Sequence, residues 1–321
     1  MNEFVIIKKY FSKLAKKSKG AFNLTDDIFF DKKNKICFST DTYNEGIHFL
    51  NFDNPDLVFK KIIRSSISDL ICKGITPKYY FINFSGNKHH TMKKKMKKIS
   101  KALKQEQNKY NIILSGGNIS RGKNLSITIS TIGISNIPPI LRSGAKLNDD
   151  IYVTNTIGDA YIGLNVLKKK IKIGKKISNY FINRFYVPNL PYYFSKNIYR
   201  FANSSIDISD GLFQDLKHIL VNSNMSSNIF LKKIPLSRKL KLYLNNNKKD
   251  LLKIISNGDD YQILFTASKK NKNLIKKISK KTSTKISMIG VIKDKNIYRD
   301  IKLVNENLNL PKKLGYIHNF N

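Results

Sequence analysis

Acidic residues are the part of this sequence that most directly indicates chemistry. The chain has 59 Lys and Arg against only 22 Asp and Glu in 321 residues, a formal charge of +37. Carboxylates this scarce would rarely fall together by chance, yet several are adjacent or nearly so. The pairs are Asp26-Asp27, Asp149-Asp150, Asp207 with Asp210, and Asp259-Asp260, and single Asp41 and Asp69 stand inside apolar segments.

Small hydroxyl residues accompany several of these acids at predicted strand or helix ends. Four such groups, without Cys or His beside them, suit hard cations, and Mg²⁺ commonly binds carboxylates together with substrate phosphate oxygens. One pair alone would be explained as well by a helix cap or a turn. Together the four favour a magnesium site for a phosphate-bearing ligand. They are Asp26-Asp27, Ser39-Thr40-Asp41, Ser68-Asp69 and Asp207-Ile208-Ser209-Asp210.

A second candidate phosphate contact is Ser115-Gly116-Gly117, which is predicted to follow a strand. Glycines there would let the backbone approach a phosphate closely. The sequence contains no Gly-x-x-x-x-Gly-Lys-Ser/Thr loop and no kinase-type glycine-rich loop with its catalytic segment. The common nucleotide-binding folds are therefore not supported.

Strands and amphipathic helices alternate along the chain and must position these acids. The interruption at Asn136-Ile137-Pro138-Pro139 predicts two domains, residues 1–137 and 138–321, of mixed α+β and α/β class. The predicted strands are Lys35–Thr42, Tyr79–Phe84, Ile112–Leu114, Leu125–Ser135 and Ile151–Thr154, with further strands starting near Ser205 and after Asp259. The predicted helices are a first one with its apolar stripe within Met1–Gly20, then Asp56–Lys73, Lys93–Tyr110 and one from Leu164 to Lys169.

The large positive charge does not by itself indicate nucleic-acid binding. Lys far outnumbers Arg, and the excess accompanies abundant Asn and Ile, which share AT-rich codons. The Lys runs are spread over the whole chain without interleaved aromatic residues, so nucleic acid is an unlikely partner. No apolar run approaches the ~20 residues of a membrane span. We expect a cytoplasmic protein without a membrane partner, with Cys37 and Cys72 buried as small hydrophobic residues.

Motifs along nearly the whole chain resemble those of the thiamine-monophosphate kinase family. In the first half they are Leu24-Thr25-Asp26-Asp27, Ser39-Thr40-Asp41-Thr42, His48-Phe49-Leu50, Ser68-Asp69-Leu70, Gly74-Ile75-Thr76-Pro77 and the stretch from Gly116 to Gly122. They continue with Arg142-Ser143-Gly144-Ala145-Lys146, Ile151–Thr154, Gly158-Asp159, the stretch from Asp207 to Leu212, Gly258-Asp259-Asp260-Tyr261 and Leu314-Gly315-Tyr316.

This resemblance implies the fold of aminoimidazole-ribonucleotide synthetase. Its N-terminal α+β domain pairs with a second subunit, so a homodimer is expected, and its C-terminal domain is α/β. The implied reaction converts ATP and thiamine monophosphate into ADP and thiamine diphosphate, with several Mg²⁺ ions. It would be a direct phosphoryl transfer, in which the protein mainly neutralises and aligns two polyanions.

The resemblance also implies roles for individual residues. The implied metal ligands are Asp27, Ser39, Thr40, Asp41, Asp69, Asn118, Asp207 and Asp210. The implied ATP contacts are Gly117, Asn118, Arg142 and Ser209, and the implied contacts to thiamine monophosphate are His48, Asp259 and Tyr316. Among all of these, Asp210 and Arg142 are the residues expected to act in catalysis.

Three positions depart from the family pattern, and two other interpretations stay open at this point. Thr25 replaces a Gly, Asp259 replaces a Glu, and Asn118 stands where the family has a metal-binding Asp. One alternative is another enzyme of the same superfamily, such as the purine-pathway synthetase or a selenophosphate or hydrogenase-maturation relative. The other is a basic nucleic-acid-binding protein on a decayed enzyme fold.

Overall fold

Two β-sheets organise the protein, for which a computed structural model describes residues 1–245, 248–295 and 301–320. The first has the strand order β1-β2-β5-β3-β4 and the second β11-β8-β10-β6-β9-β7. The strands are β1 (Phe29–Asp31), β2 (Ile36–Asn44), β3 (Pro77–Gly86), β4 (Ile113–Arg121), β5 (Ser126–Ile134), β6 (Asp150–Thr154), β7 (Ala202–Asp207), β8 (Ser226–Ile229), β9 (Ile263–Ala267), β10 (Ile286–Lys293) and β11 (Ile301–Leu303).

Helices cover these sheets and connect their strands. The α-helices are α1 (Glu3–Ile6), α2 (Pro55–Cys72), α3 (Lys93–Tyr110), α4 (Asp159–Leu167), α5 (Lys175–Tyr186), α6 (Tyr192–Ser195), α7 (Leu212–Ser223), α8 (Arg238–Leu244), α9 (Lys248–Ile255) and α10 (Lys272–Lys281). Pairing is mostly antiparallel, and the parallel exceptions are β3 with β4 and β11 with β8. The mixed two-domain α and β class expected from the sequence is confirmed.

Helix α2 lies at the centre of the molecule. Pro55 at its first turn has the backbone angle that starts a helix. Most of its apolar residues are buried, and Ile62 and Ile67 are fully so. They belong to one hydrophobic core that includes Ile129 of β5 and Phe265 of β9. Because this core joins residues of both sheets, α2 fixes the position of one half of the chain against the other.

Two predictions of local structure were wrong. The apolar stripe within Met1–Gly20 does not form one helix, because α1 is followed by a π turn at Ile7–Phe11 and a 3₁₀ turn at Leu14–Lys17. None of these segments buries a residue, so no packing contact sustains a longer helix there. Gly116 and Gly117 also do not end a strand. They lie inside β4, where a Cβ on Gly117 would stand 1.8 Å from the Ile82 carbonyl oxygen of β3.

Other predicted helices and strands agree with the structure. Helix α3 has the predicted bounds, α2 and β2 agree to within one or two residues, and Cys37 and Cys72 are both buried. In the described residues, no helix is both long and apolar enough to cross a membrane.

Candidate active site

Carboxylates from β2, α2 and the end of β7 converge between the two sheets. We call Asp27, Asp41, Asp69, Asp207 and Asp210 the acidic end of the site. Neighbouring hydroxyls orient three of them: Ser39 Oγ donates to Asp69 Oδ2 at 2.5 Å, Tyr43 OH to Asp41 Oδ2 at 3.1 Å, and Ser68 Oγ to Asp207 Oδ2 at 2.7 Å. These carboxylates, which are far apart in the sequence, are therefore close together in the fold.

Two cations hold the first acidic pair in place. The buried Lys73 Nζ lies 2.8 Å from Asp26 Oδ1 and 3.3 Å from Asp27 Oδ2. Arg142 donates its backbone N–H to Asp26 Oδ2 at 2.7 Å and two guanidinium hydrogen bonds to Asp27. Burial opposes the ionisation of Asp27, but Arg142 and Lys73 outweigh it and lower the pKa of Asp27 to about 2.

The other four carboxyls of the acidic end have raised pKa values. Burial raises the pKa of Asp41 to about 6, and burial with the charge of nearby carboxylates raises those of Asp207 and Asp210 to about 7. Burial and the charges of Asp41 and Asp207 raise the pKa of Asp69 well above its usual range. The two positive charges of Lys73 and Arg142 are thus too few to stabilise all five carboxylates in their ionised forms. Bound cations would supply the missing positive charge.

The turn after β7 presents Ser209 and Asp210 in a fixed conformation. The carboxylate of Asp215, on the first turn of α7, accepts hydrogen bonds from Asp210 N at 3.2 Å and Gly211 N at 3.0 Å. Gly211 has φ 129°, a region that favours glycine. Asp259 N donates to Ser209 O at 2.9 Å, so the main chain of Ser209 is also tied to the loop before β9.

Rings of three residues form a second cluster beside the acidic end, which we call the aromatic end. The centroid of the His318 ring lies 5.5 Å from that of His48 and 4.8 Å from that of Tyr316. Tyr316 N donates to Asp210 O at 3.0 Å, which connects the two ends directly. Burial and the charge of His318 lower the pKa of His48 to about 4, so its imidazole is neutral at pH 7.

Asp259 lies next to the aromatic end and pairs with a lysine that the sequence did not single out. Lys61 Nζ of α2 is 2.5 Å from Asp259 Oδ1, and Tyr261 OH donates to the same oxygen at 3.0 Å. Lys61 is 1% exposed and lies 3.7 Å from the centroid of the Phe185 ring. Burial lowers the pKa of Lys61, and the charge of Asp259 opposes that shift. Asp259 is thereby held in place beside the aromatic end.

Three predicted site residues do not join the acidic end within one chain. Thr40 shares a hydrogen bond of 2.9 Å with Ser130 on the face of the first sheet opposite Asp41, since successive strand side chains alternate. Gly117 and Asn118 lie on the edge strand β4, three strands from β2, which is roughly 14 Å at the usual strand spacing. The register pairs Asn118 with Asn83, which also places it on the face opposite Asp41.

Sequence reasoning missed Lys61, Lys73, Asp215 and His318. Lys61 and Lys73 are two among many lysines, and only their burial distinguishes them. Asp215 lies within the first turn of α7, five residues after Asp210, and its position there was the one available signal. His318 stands two residues beyond the recognised Tyr316.

Comparisons with known proteins agree with this geometry. Residues 24–135 match the family model of the AIR synthase related protein, N-terminal domain. The fold and the buried acidic site thus place the chain in the class of AIR synthase-related proteins. A solved structure of E. coli HypE, a hydrogenase maturation protein, shares the fold, with a TM-score of 0.64, 15% identity and 86% of each chain covered.

Closer relatives define the particular family. A thiamine-monophosphate kinase of Buchnera aphidicola from Acyrthosiphon pisum is 38% identical over 90% of both chains. Its counterpart from Buchnera aphidicola of Schizaphis graminum is 36% identical over 99% of this chain and 98% of its own. A structure of AaThiL complexed with AMPPCP and TMP has a TM-score of 0.84 and 28% identity, covering 99% of this chain and 97% of its own. The chain belongs to the thiamine-monophosphate kinase family.

Proposed function

We propose that this chain transfers the γ-phosphoryl group of ATP to the phosphate of thiamine monophosphate, giving ADP and thiamine diphosphate. The observation that carries the proposal is the direct connection of a carboxylate-rich end to an aromatic end through Tyr316 N and Asp210 O. One end suits phosphates with their counterions, and the other suits an organic ring system. Family membership supports the same pairing of substrates.

Charge neutralisation is the main task of such a site. Both substrates are polyanions, so catalysis depends on compensating their charge and aligning donor with acceptor. The acceptor phosphate is already ionised at pH 7 and needs no strong general base. The planar guanidinium of Arg142 bonds to Asp27 through Nε and Nη2, and its remaining N–H groups could donate to a phosphate in a geometry that the many surface lysines cannot imitate.

Magnesium fits the residues that are present. The donors are carboxylate and hydroxyl oxygens, which Mg²⁺ prefers. Burial, with smaller contributions from neighbouring carboxylates, raises the pKa values of Asp41, Asp207 and Asp210, and a bound cation would favour their ionised forms. We propose Asp27, Ser39, Asp41, Asp69, Asp207 and Asp210 as the ligand set. When bound, the ions neutralise phosphate oxygens during transfer. The Asp215 hydrogen bonds hold Asp210 in position for this role.

The acceptor would lie with its phosphate at Asp210 and its rings against His48 and Tyr316. Asp259, fixed by Lys61, adds a carboxylate at the same wall, where a cationic ring can approach it. The proposed ATP contacts are Ser209 and Arg142, with Gly117 and Asn118 on β4.

The position of β4 supports a homodimer as part of the proposal. All nine residues of this edge strand are exposed, including Ile113, Leu114 and Ile119, the last with 73% of its surface accessible. An exposed apolar edge of this kind is normally covered. A second copy would cover it and bring Gly117, Asn118 and Thr40 toward a shared surface. Sedimentation equilibrium of the purified protein, compared with Ile119→Lys, tests this part: the wild type should be dimeric and the variant shifted toward monomer.

Two further parts of the proposal concern domains and location. We place the domain boundary at residues 137 and 138, between the end of the first sheet at Ile134 and the start of the second at Asp150. We also propose that the protein works in the cytoplasm, where ATP is available as the phosphoryl donor.

Chromatography of thiamine compounds tests the reaction. Purified protein is incubated with ATP, Mg²⁺ and thiamine monophosphate, with free thiamine as the alternative acceptor in a parallel sample. We expect thiamine diphosphate from the monophosphate and no phosphorylation of free thiamine. Unchanged thiamine monophosphate after long incubation, with protein that is folded by circular dichroism, would overturn the assignment.

A further inference from the structure

The segment that contains His318 is joined by hydrogen bonds to the residues around α1. His318 N donates to Glu3 Oε1 at 3.1 Å, and Glu3 N donates to His318 O at 3.2 Å. Asn2 and Asn319 form an antiparallel bridge beside this pair. His318 is therefore held on both sides of its backbone by a single residue, Glu3.

Both segments pack against helix α7, which begins two residues after Asp210. The Phe4 ring lies 4.9 Å from the His218 ring of α7. Gly315 packs so closely that an added Cβ would stand 2.4 Å from Gln214 Cβ. The α1 segment and the His318 segment thus pack against the same helix, α7. The turn that contains Ser209 and Asp210 leads directly into that helix.

The rings of the aromatic end face one another at distances typical of aromatic pairs. Tyr316 and His318 are perpendicular, and the Tyr316 hydroxyl lies 3.3 Å from His318 Nδ1. Tyr316 is 46% exposed, so its ring is accessible to a ligand. The His318 ring contacts both the Tyr316 ring and the His48 ring, so it links the three rings into one cluster.

We propose that His318 contacts the heteroaromatic part of the acceptor together with His48 and Tyr316, and that Glu3 is the positioning residue for His318. The inference rests on the proposed function, because it assigns part of the thiamine monophosphate pocket. It gives the α1 segment, in which no residue is buried, a part in acceptor recognition.

The chemistry of the acceptor suits such a pocket. Thiamine monophosphate carries a cationic thiazolium ring and an aminopyrimidine, and aromatic faces attract cations and stack with heteroaromatic rings. The low pKa of His48, about 4, keeps its ring neutral, so it does not repel the thiazolium at pH 7. A third ring at His318 would enlarge the aromatic surface that the acceptor contacts.

The test measures acceptor binding and turnover in matched variants. Calorimetric titration with thiamine monophosphate gives Kd, and the product assay gives KM for each substrate. His318→Ala, which keeps the backbone bonds to Glu3, should raise Kd and KM for thiamine monophosphate about tenfold, within the range of cation–π and stacking contacts. The KM for ATP should stay within twofold, and His318→Phe should restore most of the affinity.

The Glu3 variants test the positioning role. Glu3→Ala should raise the KM for thiamine monophosphate about threefold with kcat nearly unchanged, and Glu3→Gln, which keeps an acceptor oxygen, should restore it. His89→Ala and Leu14→Ala, both at exposed positions, are the matched controls and should behave as wild type.

Each outcome decides between the claims. If His318→Ala binds thiamine monophosphate as tightly as the wild type, the inference is wrong, while wild-type turnover still supports the proposed function. If the wild type shows no binding at all, the inference also fails, and the product assay judges the reaction separately. Restored binding in His318→Phe together with rescue by Glu3→Gln would support both roles.

Discussion

The two ends of the site differ in how they are built. At the acidic end, buried carboxylates outnumber Lys73 and Arg142, and burial raises the pKa values of Asp207 and Asp210 to about 7. At the aromatic end, the rings of His48, Tyr316 and His318 are partly open to solvent. Surplus buried charge is unfavourable unless a ligand or ion relieves it. In the proposed function, the acidic end accordingly performs the transfer and the aromatic end selects the acceptor.

Removal of divalent cations should produce the largest difference between the two ends. With a chelator, turnover should fall about 100-fold or more, a barrier increase of at least ~2.7 kcal/mol, because Lys73 and Arg142 already pair with Asp26 and Asp27 and cannot balance both polyanions as well. Binding of thiamine monophosphate rings at the aromatic end should weaken far less. Product chromatography and calorimetry measure the two effects. Full activity in the presence of excess chelator would contradict the proposed role of the carboxylates.

Loss of Lys73 should be the next largest effect, now on stability. Lys73→Met leaves the carboxylates of Asp26 and Asp27 without their buried amine and removes the hydrogen bond to Ser205 O at 2.8 Å. Breaking one side of a buried ion pair typically costs about 3–5 kcal/mol of unfolding free energy. Urea denaturation measures it, with Lys78→Met at an exposed position as control. Equal midpoints for both variants would show that Lys73 is not needed for the acidic end.

Asn118→Asp should have the smallest effect. Asn118 lies outside the ligand set of one chain and reaches bound ATP only in the proposed homodimer. There a carboxylate would add charge where the amide offers Mg²⁺ one uncharged oxygen, so it should lower the Mg²⁺ concentration for half-maximal rate about threefold, or ~0.7 kcal/mol. Asn83→Asp adds the same charge at the paired position on β3 and is the matched control. A Mg²⁺ titration of turnover at fixed ATP compares them. Identical half-maximal concentrations in wild type and Asn118→Asp would mean that residue 118 is not a ligand.

Local sequence patterns predict many of the helices and strands. The features that the sequence does not predict depend on contacts between distant parts of the chain. Helix α3 was predicted with its bounds because its apolar stripe repeats at helical spacing within one segment. Gly116 and Gly117 were placed at a strand end, since nothing local shows that β3 pairs alongside them. The same limit applies to the segment around α1, where the helical stripe had no core to pack against.

The site shows a similar division. The acids of the acidic end could be found because carboxylates are rare in this chain and stand beside hydroxyl residues. Lys61 could not, because its partner Asp259 is 198 positions away and only folding brings the two together. His318 has no signal of its own in the sequence, since its role follows from where Glu3 and Tyr316 hold it. The scarcity of carboxylates in the composition thus pointed to the acidic residues of the site. It did not point to Lys61 or His318, which only the fold brings to the site.

Steady-state kinetics over a grid of ATP and thiamine monophosphate concentrations test the division of labour most directly. The measurement compares wild type with Asp210→Asn and His48→Ala, each checked for an unchanged melting temperature. We predict that Asp210→Asn lowers kcat more than tenfold, over ~1.4 kcal/mol of barrier, with little change in the KM for thiamine monophosphate. His48→Ala should raise that KM several-fold and leave kcat within about twofold. Equal losses of kcat in both variants, or normal kcat in Asp210→Asn, would contradict the account.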